Sequence, residues 1–167
     1  SLRAQATLVK HRKDRSLSRQ SAALVYRQPS KAGTVDAAMD RHRLQRTKMA
    51  VVYSGKPAIT HYRLSETTAH CAWLDVKLET GRTHQIRVHL THIGHPLVGD
   101  PVYRQGRSGL GHATQEARAL IDAFPRQALH AKTLGLIHPM HGQHVEFEVP
   151  LAPDLHELSV ALRRVDV

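Results

Sequence analysis

The sequence predicts an α+β fold, in which a mainly antiparallel, mixed sheet is flanked by helices. Two segments, residues 72–80 and 145–149, alternate apolar and polar side chains, as half-buried strands do. Between them, residues 86–93 carry apolar side chains at helical spacing. The chain has 167 residues and 41% hydrophobic residues, which suits one domain with a real core.

The first third of the chain predicts few regular elements. Residues 1–20 are basic and favour a helix, and residues 21–27 form a short apolar run that predicts a strand. Residues 28–57 contain several Pro, Gly and charged residues and predict an extended loop, with one short strand at 49–53. Residues 58–64 alternate again and predict the next strand.

A helix is predicted directly after the strand at 72–80. Thr83 is a suitable N-cap residue for it. Ile86, Leu90 and Ile93 then follow at spacings of four and three, on one helical face. Gly94 stands where a C-terminal cap belongs.

The last third of the chain predicts a loop, a helix, a hairpin and a final helix. Residues 95–112 are interrupted by Pro and Gly, whereas residues 115–124 favour a helix. Residues 128–138 pair with the alternating segment that ends at residue 149, across a His- and Gly-containing turn. Asp154 can cap the final helix, whose predicted core face consists of Leu155, Leu158 and Leu162.

Positive charge is concentrated at one end of the chain. The formal net charge is +10, and residues 1–48 alone carry +9. Most of the basic residues are arginines, which bind phosphate bidentately and stack on bases. A phosphate-bearing partner is therefore indicated, with nucleic acid as the first candidate. Membrane surfaces, acidic proteins and a merely solvated basic face remain alternatives.

Cysteine and histidine usage bears on compartment and metal binding. Cys71 is the single cysteine, which excludes an intrachain disulfide and favours a reducing, cytoplasmic setting. No stretch is long and apolar enough for a membrane-spanning helix. His89, His92 and His95 recur every three residues, so a zinc-dependent hydrolase is one alternative. We expect no metal, because a zinc site needs further ligands and neighbouring groups that hold those ligands in place by hydrogen bonds.

Arg82 lies where the strand at 72–80 turns into the predicted helix. Such turns hold functional side chains on a rigid scaffold. A helix N-terminus adds positive potential, so a carboxylate or phosphate beside Arg82 would be well stabilised. Arg82 could also serve the helix start alone.

The segment around Arg82 resembles the RluA/RluD-type pseudouridine synthases. Its central motif is GRTHQIRVHLTHIGHPLVGDPVYR, at residues 81–104. The resemblance spans residues 17–164, nearly the whole chain. It includes RQALHAKTLGLIHP (126–139), GTVDAAMDRH (33–42), RTKMAVV (46–52), GKPAITHYRL (55–64) and, weakly, LSRQSAALV (17–25).

The resemblance implies an enzyme that isomerises uridine to pseudouridine in RNA, with large-subunit ribosomal RNA as the expected substrate and without cofactor or metal. Such enzymes flip the target base into a pocket, where an Asp acts while the glycosidic bond breaks and a Tyr stacks on the base. The family's Asp-pairing arginine falls on Arg82. With RNA as partner, the predicted RNA-contacting residues are Arg12, Lys13, Arg15, Arg41, Arg43, Arg46 and Arg87.

Two parts of the family pattern are missing. The family's Asp follows His-Arg-Leu, and here the superficially similar 42–45 ends in Gln45 and lies too late in the chain. Ser21 occupies the place of the stacking Tyr. We therefore expect a single, partial catalytic domain over 1–167, with a basic segment 1–48 and a core 49–167. This chain alone should be inactive. The alternative is a non-catalytic RNA-binding protein on the same scaffold.

Overall fold

A computed structural model describes residues 5–6, 18–68, 70–104 and 110–165. Six strands form one antiparallel sheet in the order β2-β5-β6-β1-β7-β8, and β3 and β4 form a separate hairpin. The strands are β1 (Ser18–Tyr26), β2 (Ala32–Asp36), β3 (Met39–Arg41), β4 (Met49–Val51), β5 (Ile59–Thr67), β6 (Cys71–Leu78), β7 (Leu129–Ile137) and β8 (His144–Glu148). The helices are α1 (Gln85–His92), α2 (Gln115–Ala123) and α3 (Pro153–Val165).

The sheet is covered on both faces, which confirms the α+β prediction. Strand β1 is central, between β6 and β7, and its side chains alternate between two cores. Ala23 and Val25 pack on the side of α1, together with Leu90 of that helix. Leu24 packs on the opposite side, in the core that contains Ile121 of α2 and the leucines of α3. Residues 22–26 of the strand are therefore apolar, as expected for a segment buried on both faces, whereas residues 18–21 are polar.

Helix α1 begins later than the sequence predicted. Thr83 is not its N-cap; that position belongs to His84, which adopts a left-handed conformation (φ 55°) and makes no side-chain cap. A turn in which the Gln85 N–H donates to the Arg82 carbonyl (3.1 Å) delays the first helical residue. The C-terminal prediction was correct, since Gly94 has φ +87°, a conformation that glycine adopts without strain.

Two predictions for the first third were wrong. Residues 18–20 are the start of β1 rather than the end of a helix. The extended loop predicted for residues 28–57 contains β2, β3 and β4, of which only β4 lies within the predicted strand at 49–53. These strands are short, and their burial comes from tertiary packing, so their local pattern is weak.

The last third matches its prediction closely. Helix α2 and the β7–β8 hairpin lie where expected, and Leu155, Leu158 and Leu162 of α3 are buried. Helix α3 starts at Pro153, a favoured first helical residue, so Asp154 lies in its first turn and is not the cap that the sequence predicted. Over the residues that the structure describes, no helix is long and apolar enough to cross a membrane.

Candidate active site and nucleic-acid interface

Arg82 is held in the β6–α1 turn by two hydrogen bonds. Its backbone N–H donates to Gln85 Oε1 (2.9 Å), and its Nε donates to the carbonyl oxygen of Pro57 (3.0 Å). Among the described residues no carboxylate pairs with this half-buried side chain. The Nε bond fixes the plane of the guanidinium and leaves its two terminal nitrogens for another partner. A carboxylate or phosphate can accept from such a pair bidentately.

Gln85 connects several parts of the site, and no sequence pattern pointed to it. It is 2% exposed, and its amide makes four hydrogen bonds. Oε1 accepts from the Thr80 hydroxyl (2.8 Å) as well as from Arg82, whereas Nε2 donates to the Ile59 carbonyl and to Thr60 Oγ1, both at 3.0 Å. This amide ties the turn that carries Arg82 to the start of β5. Only its place within the motif could have drawn attention to it, because a buried glutamine has no sequence signal of its own.

The structure does not place Arg87 as an RNA contact, which corrects that prediction. Arg87 is 7% exposed, and its Nε and one terminal nitrogen donate to the two carboxylate oxygens of Asp100, both at 2.8 Å. Asp100 also accepts from the backbone N–H groups of Val102 and Tyr103. Asp100 is therefore a structural residue of the turn that follows α1. A side chain enclosed and neutralised in this way is not presented to a phosphate in solution.

Burial by itself disfavours the ionised form of Asp100. The hydrogen bonds from Arg87, Val102 and Tyr103 outweigh that effect, so the pKa of Asp100 lies below its usual value. In turn, the Asp100 hydrogen bond raises the pKa of Arg87 against the desolvation of its guanidinium. Both side chains are therefore charged at neutral pH, and the pair joins α1 to the loop that follows it.

Tyr103 connects this turn to the β3–β4 hairpin. Its hydroxyl accepts from the Met49 N–H (3.0 Å) and hydrogen-bonds His84 Nδ1 (2.8 Å). The hydroxyl can donate to Nδ1 or accept a second hydrogen bond from it, so the contact suits a neutral His84 ring in either tautomer. Partial desolvation and the nearby Arg87 charge lower the pKa of His84, which fits this neutral form. The hairpin is thus anchored next to the Arg82 turn.

The loop of the β3–β4 hairpin presents an exposed basic surface. Arg41, Arg43 and Arg46 are exposed, and Arg41 donates to the Arg46 carbonyl (3.0 Å). Leu44 is 89% exposed and Tyr53 is fully exposed on the same part of the molecule. Basic side chains beside exposed aromatic and aliphatic groups are typical of RNA-binding surfaces. The other predicted RNA contacts, Arg12, Lys13 and Arg15, lie outside the described residues.

The histidines that recur every three residues have separate hydrogen-bond partners and do not share one site. His89 is buried, and its two ring nitrogens bond Thr60 Oγ1 (2.9 Å) and the Ala37 carbonyl (2.8 Å). His95 bonds the Tyr26 carbonyl. Within the part of the chain that the structure describes, no group of three or more His, Cys, Asp or Glu side chains is placed to share a metal ion.

Ser21 lies on the central strand β1, opposite Val76 of β6 and Ala131 of β7. Its side chain is partly buried and offers no ring for a base. Tyr26, the nearest tyrosine on that strand, is 2% exposed. It is buried in the core that contains Leu24 and Ile121, and it is therefore unavailable for stacking.

Sequence and structure comparisons with known proteins point to one protein family. The sequence profile of the RNA pseudouridylate synthase family matches residues 2–92. Ribosomal large subunit pseudouridine synthase D of Nitrosomonas europaea is 48% identical over 164 residues, which cover 98% of this chain and 46% of that protein. The enzyme of the same name from Pseudomonas aeruginosa is also 48% identical, with 98% of this chain and 51% of that protein covered.

A solved structure, human RNA pseudouridylate synthase domain containing 1, shares the fold. It matches with a TM-score of 0.70 and 25% identity over 95% of this chain and 70% of that chain. This chain spans about half the length of the curated relatives it matches. The sequence identity and the profile match establish that the chain belongs to the RNA pseudouridylate synthase family.

Proposed function

We propose that this chain is the arginine-bearing part of a pseudouridine synthase that acts on RNA, with large-subunit ribosomal RNA as its substrate. The observation that carries the proposal is the geometry of Arg82. Its Nε and backbone N–H are held by Pro57 and Gln85, while its two terminal nitrogens have no acidic partner in the described residues. The relatives named for this reaction on the large ribosomal subunit, together with their high identity, support the substrate class. They also support a cytoplasmic setting.

In this proposal Arg82 pairs with a catalytic Asp that lies outside these 167 residues. The bidentate bond would keep that carboxylate ionised and oriented while the glycosidic bond of a flipped-out uridine breaks. The uracil then rotates and rejoins the ribose through carbon, so the reaction is an isomerisation and needs no co-reactant. The exposed arginines of the β3–β4 loop would hold the RNA next to the site.

A chimeric protein tests this role. In it, this chain replaces the matching half of the Nitrosomonas europaea enzyme, whose remaining half is retained. We expect the chimera to form pseudouridine in a large-subunit ribosomal RNA transcript, detected by nucleoside mass spectrometry. The 167-residue chain alone should form none. Arg82→Ala in the chimera should abolish the product, whereas Arg163→Ala, at a surface ion pair on α3, should not.

The serine at position 21 is an observation that favours a second candidate function, RNA binding without catalysis. Because this residue offers no aromatic ring where the family has its stacking tyrosine, the chain could bind RNA without modifying it. A chimera that folds and binds the transcript but forms no pseudouridine, even after Ser21→Tyr, would support that non-catalytic function instead. Restoration of activity by Ser21→Tyr would show that the missing ring, and not the Arg82 site, limits the chemistry.

A further inference from the structure

A second arginine lies against the turn that carries Arg82. An ideal Cβ built on Gly81 would be only 2.8 Å from the Nη2 atom of Arg19, which places the Arg19 guanidinium directly against the Gly81 backbone. Arg19 belongs to β1, and it lies one residue beyond the Gln20–Lys77 pair of the β1–β6 ladder. Its neighbour across that ladder is therefore Leu78, the last residue of β6, from which the chain continues into the turn.

The backbone conformation at residue 81 does not require a glycine. Its φ lies outside the left-handed region in which glycine is favoured, so an alanine could adopt the same conformation. What a side chain at this position would disturb is the end of Arg19. Because Gly81 has no Cβ, the Arg19 guanidinium can pack against it, directly beside Arg82 in the chain.

Neither guanidinium is neutralised by the described residues. Arg19 is half-buried and makes no ion pair or hydrogen bond there, and Arg82 bonds only backbone and amide oxygens. The nearest carboxylate along the chain, Glu79, bonds His61 at 2.8 Å. Two cationic side chains at one turn add to the local positive potential, which favours the binding of an anion there.

We propose that Arg19 is a second anion-binding residue of the Arg82 site, and that it binds a backbone phosphate of the RNA next to the target uridine. This inference rests on the proposed function, in which Arg82 takes the catalytic carboxylate. The phosphate then neutralises Arg19, and RNA supplies one such group at every nucleotide. Arginine suits this role because its planar fork binds a phosphodiester bidentately.

The test measures the binding of the 167-residue chain to a fluorescently labelled, uridine-containing single-stranded RNA over a range of salt concentrations. Each phosphate contact contributes about 0.7 to the slope of log affinity against log salt on single strands. Arg19→Ala should therefore lower the slope by about 0.7. Arg163→Ala is the matched arginine control, because its guanidinium, on α3, is paired with Glu66 of β5 and its removal should leave the slope unchanged.

Gly81→Ala tests the same contact without removing a charge. The new methyl group should displace the Arg19 guanidinium, so affinity and slope should fall as in Arg19→Ala, and the double variant should show no further loss. Gly111→Ala is the matched glycine control, since a Cβ there meets nothing within 4 Å. Urea titrations of all variants check that each one is folded.

The outcomes distinguish this proposal from the proposed function. An unchanged slope in Arg19→Ala, together with a lower slope in Arg43→Ala/Arg46→Ala, would overturn the role of Arg19 and leave the RNA function standing. Failure of the unmodified chain to bind RNA in a salt-dependent way would overturn both. A loss in Gly81→Ala that is absent in Arg19→Ala would also contradict the proposal, because Gly81 would then act through something other than Arg19.

Discussion

Arg87 and Asp100 form a bidentate ion pair in the interior, with both donor–acceptor distances at 2.8 Å and the Asp100 side chain fully buried. The Arg87 guanidinium also lies over the Tyr103 ring, 4.9 Å from its centroid. The pair fixes the loop after α1 against that helix. It thereby positions Tyr103, which in turn holds the β3–β4 hairpin and His84.

Asp100→Asn should lower the free energy of unfolding by about 3–5 kcal/mol, because it leaves the buried Arg87 charge without its carboxylate. A urea titration near pH 7 measures this. Asp75→Asn is the control: Asp75 pairs with Lys132 at the partly exposed surface, and its loss should cost less than about 1 kcal/mol. Equal effects of the two substitutions would contradict the structural importance of the buried pair.

Asp100→Asn should also change how the stability of the protein responds to acid. Because the pKa of Asp100 is lowered in the folded protein, its contribution is complete above the unfolded value of about 3.9. The contribution is lost as the pH falls through the folded value. The stability difference between the unmodified chain and Asp100→Asn should therefore be largest near neutral pH and shrink in acid. A difference that stays constant from neutral pH to about pH 2 would be inconsistent with this linkage.

His89 should make the stability depend on pH in a higher pH range than Asp100 does. Desolvation in the core lowers its pKa against the raising effect of the Ala37 carbonyl, so the folded protein favours the neutral ring. Its contribution is complete above the unfolded value of about 6.5 and is lost as the pH falls below it. Urea titrations should show that His89→Gln destabilises the chain more at pH 7.5 than at pH 5. His92→Gln, which changes an exposed residue of the same helix, serves as the control.

Arg82→Met should cost only about 1 kcal/mol of stability, the usual value of one hydrogen bond. It removes the bond to the Pro57 carbonyl but breaks no ion pair within the described residues, and the methionine retains much of the side-chain volume. A loss of several kcal/mol in a denaturant titration would indicate that Arg82 already has an acidic partner in this chain. The catalytic role proposed for an outside Asp would then need revision.

Exposed arginines should determine the salt dependence of RNA binding. Arg41→Ala/Arg43→Ala/Arg46→Ala should lower the log–log slope by about 2, from three contacts of about 0.7 each. The same substitution of Arg12, Lys13 and Arg15 tests the other predicted set. Arg87 offers a contrast, since its burial removes it from the interface. An unchanged slope in both triple variants would place the RNA surface elsewhere on the molecule.

Several features of the candidate site could be read from local sequence alone. The turn that carries Arg82 follows an alternating strand and precedes a helical pattern, and both patterns reflect burial on one face. The long motif around it predicted the family. The strands within residues 28–57 were largely missed, because β2 and β3 are short and carry little periodicity of their own.

The sequence by itself determined the α+β class, most elements after residue 58, the concentration of positive charge and the candidacy of Arg82. Only the tertiary structure decided which arginines are available to a ligand. Arg87 and Arg82 lie in one motif, yet Asp100 neutralises the first, whereas backbone and amide oxygens hold the second and its terminal nitrogens have no partner among the described residues. Arg19 comes to the same turn across the sheet, from a strand about sixty residues earlier. Such partners are set by the register of distant strands, and local residue patterns do not encode them.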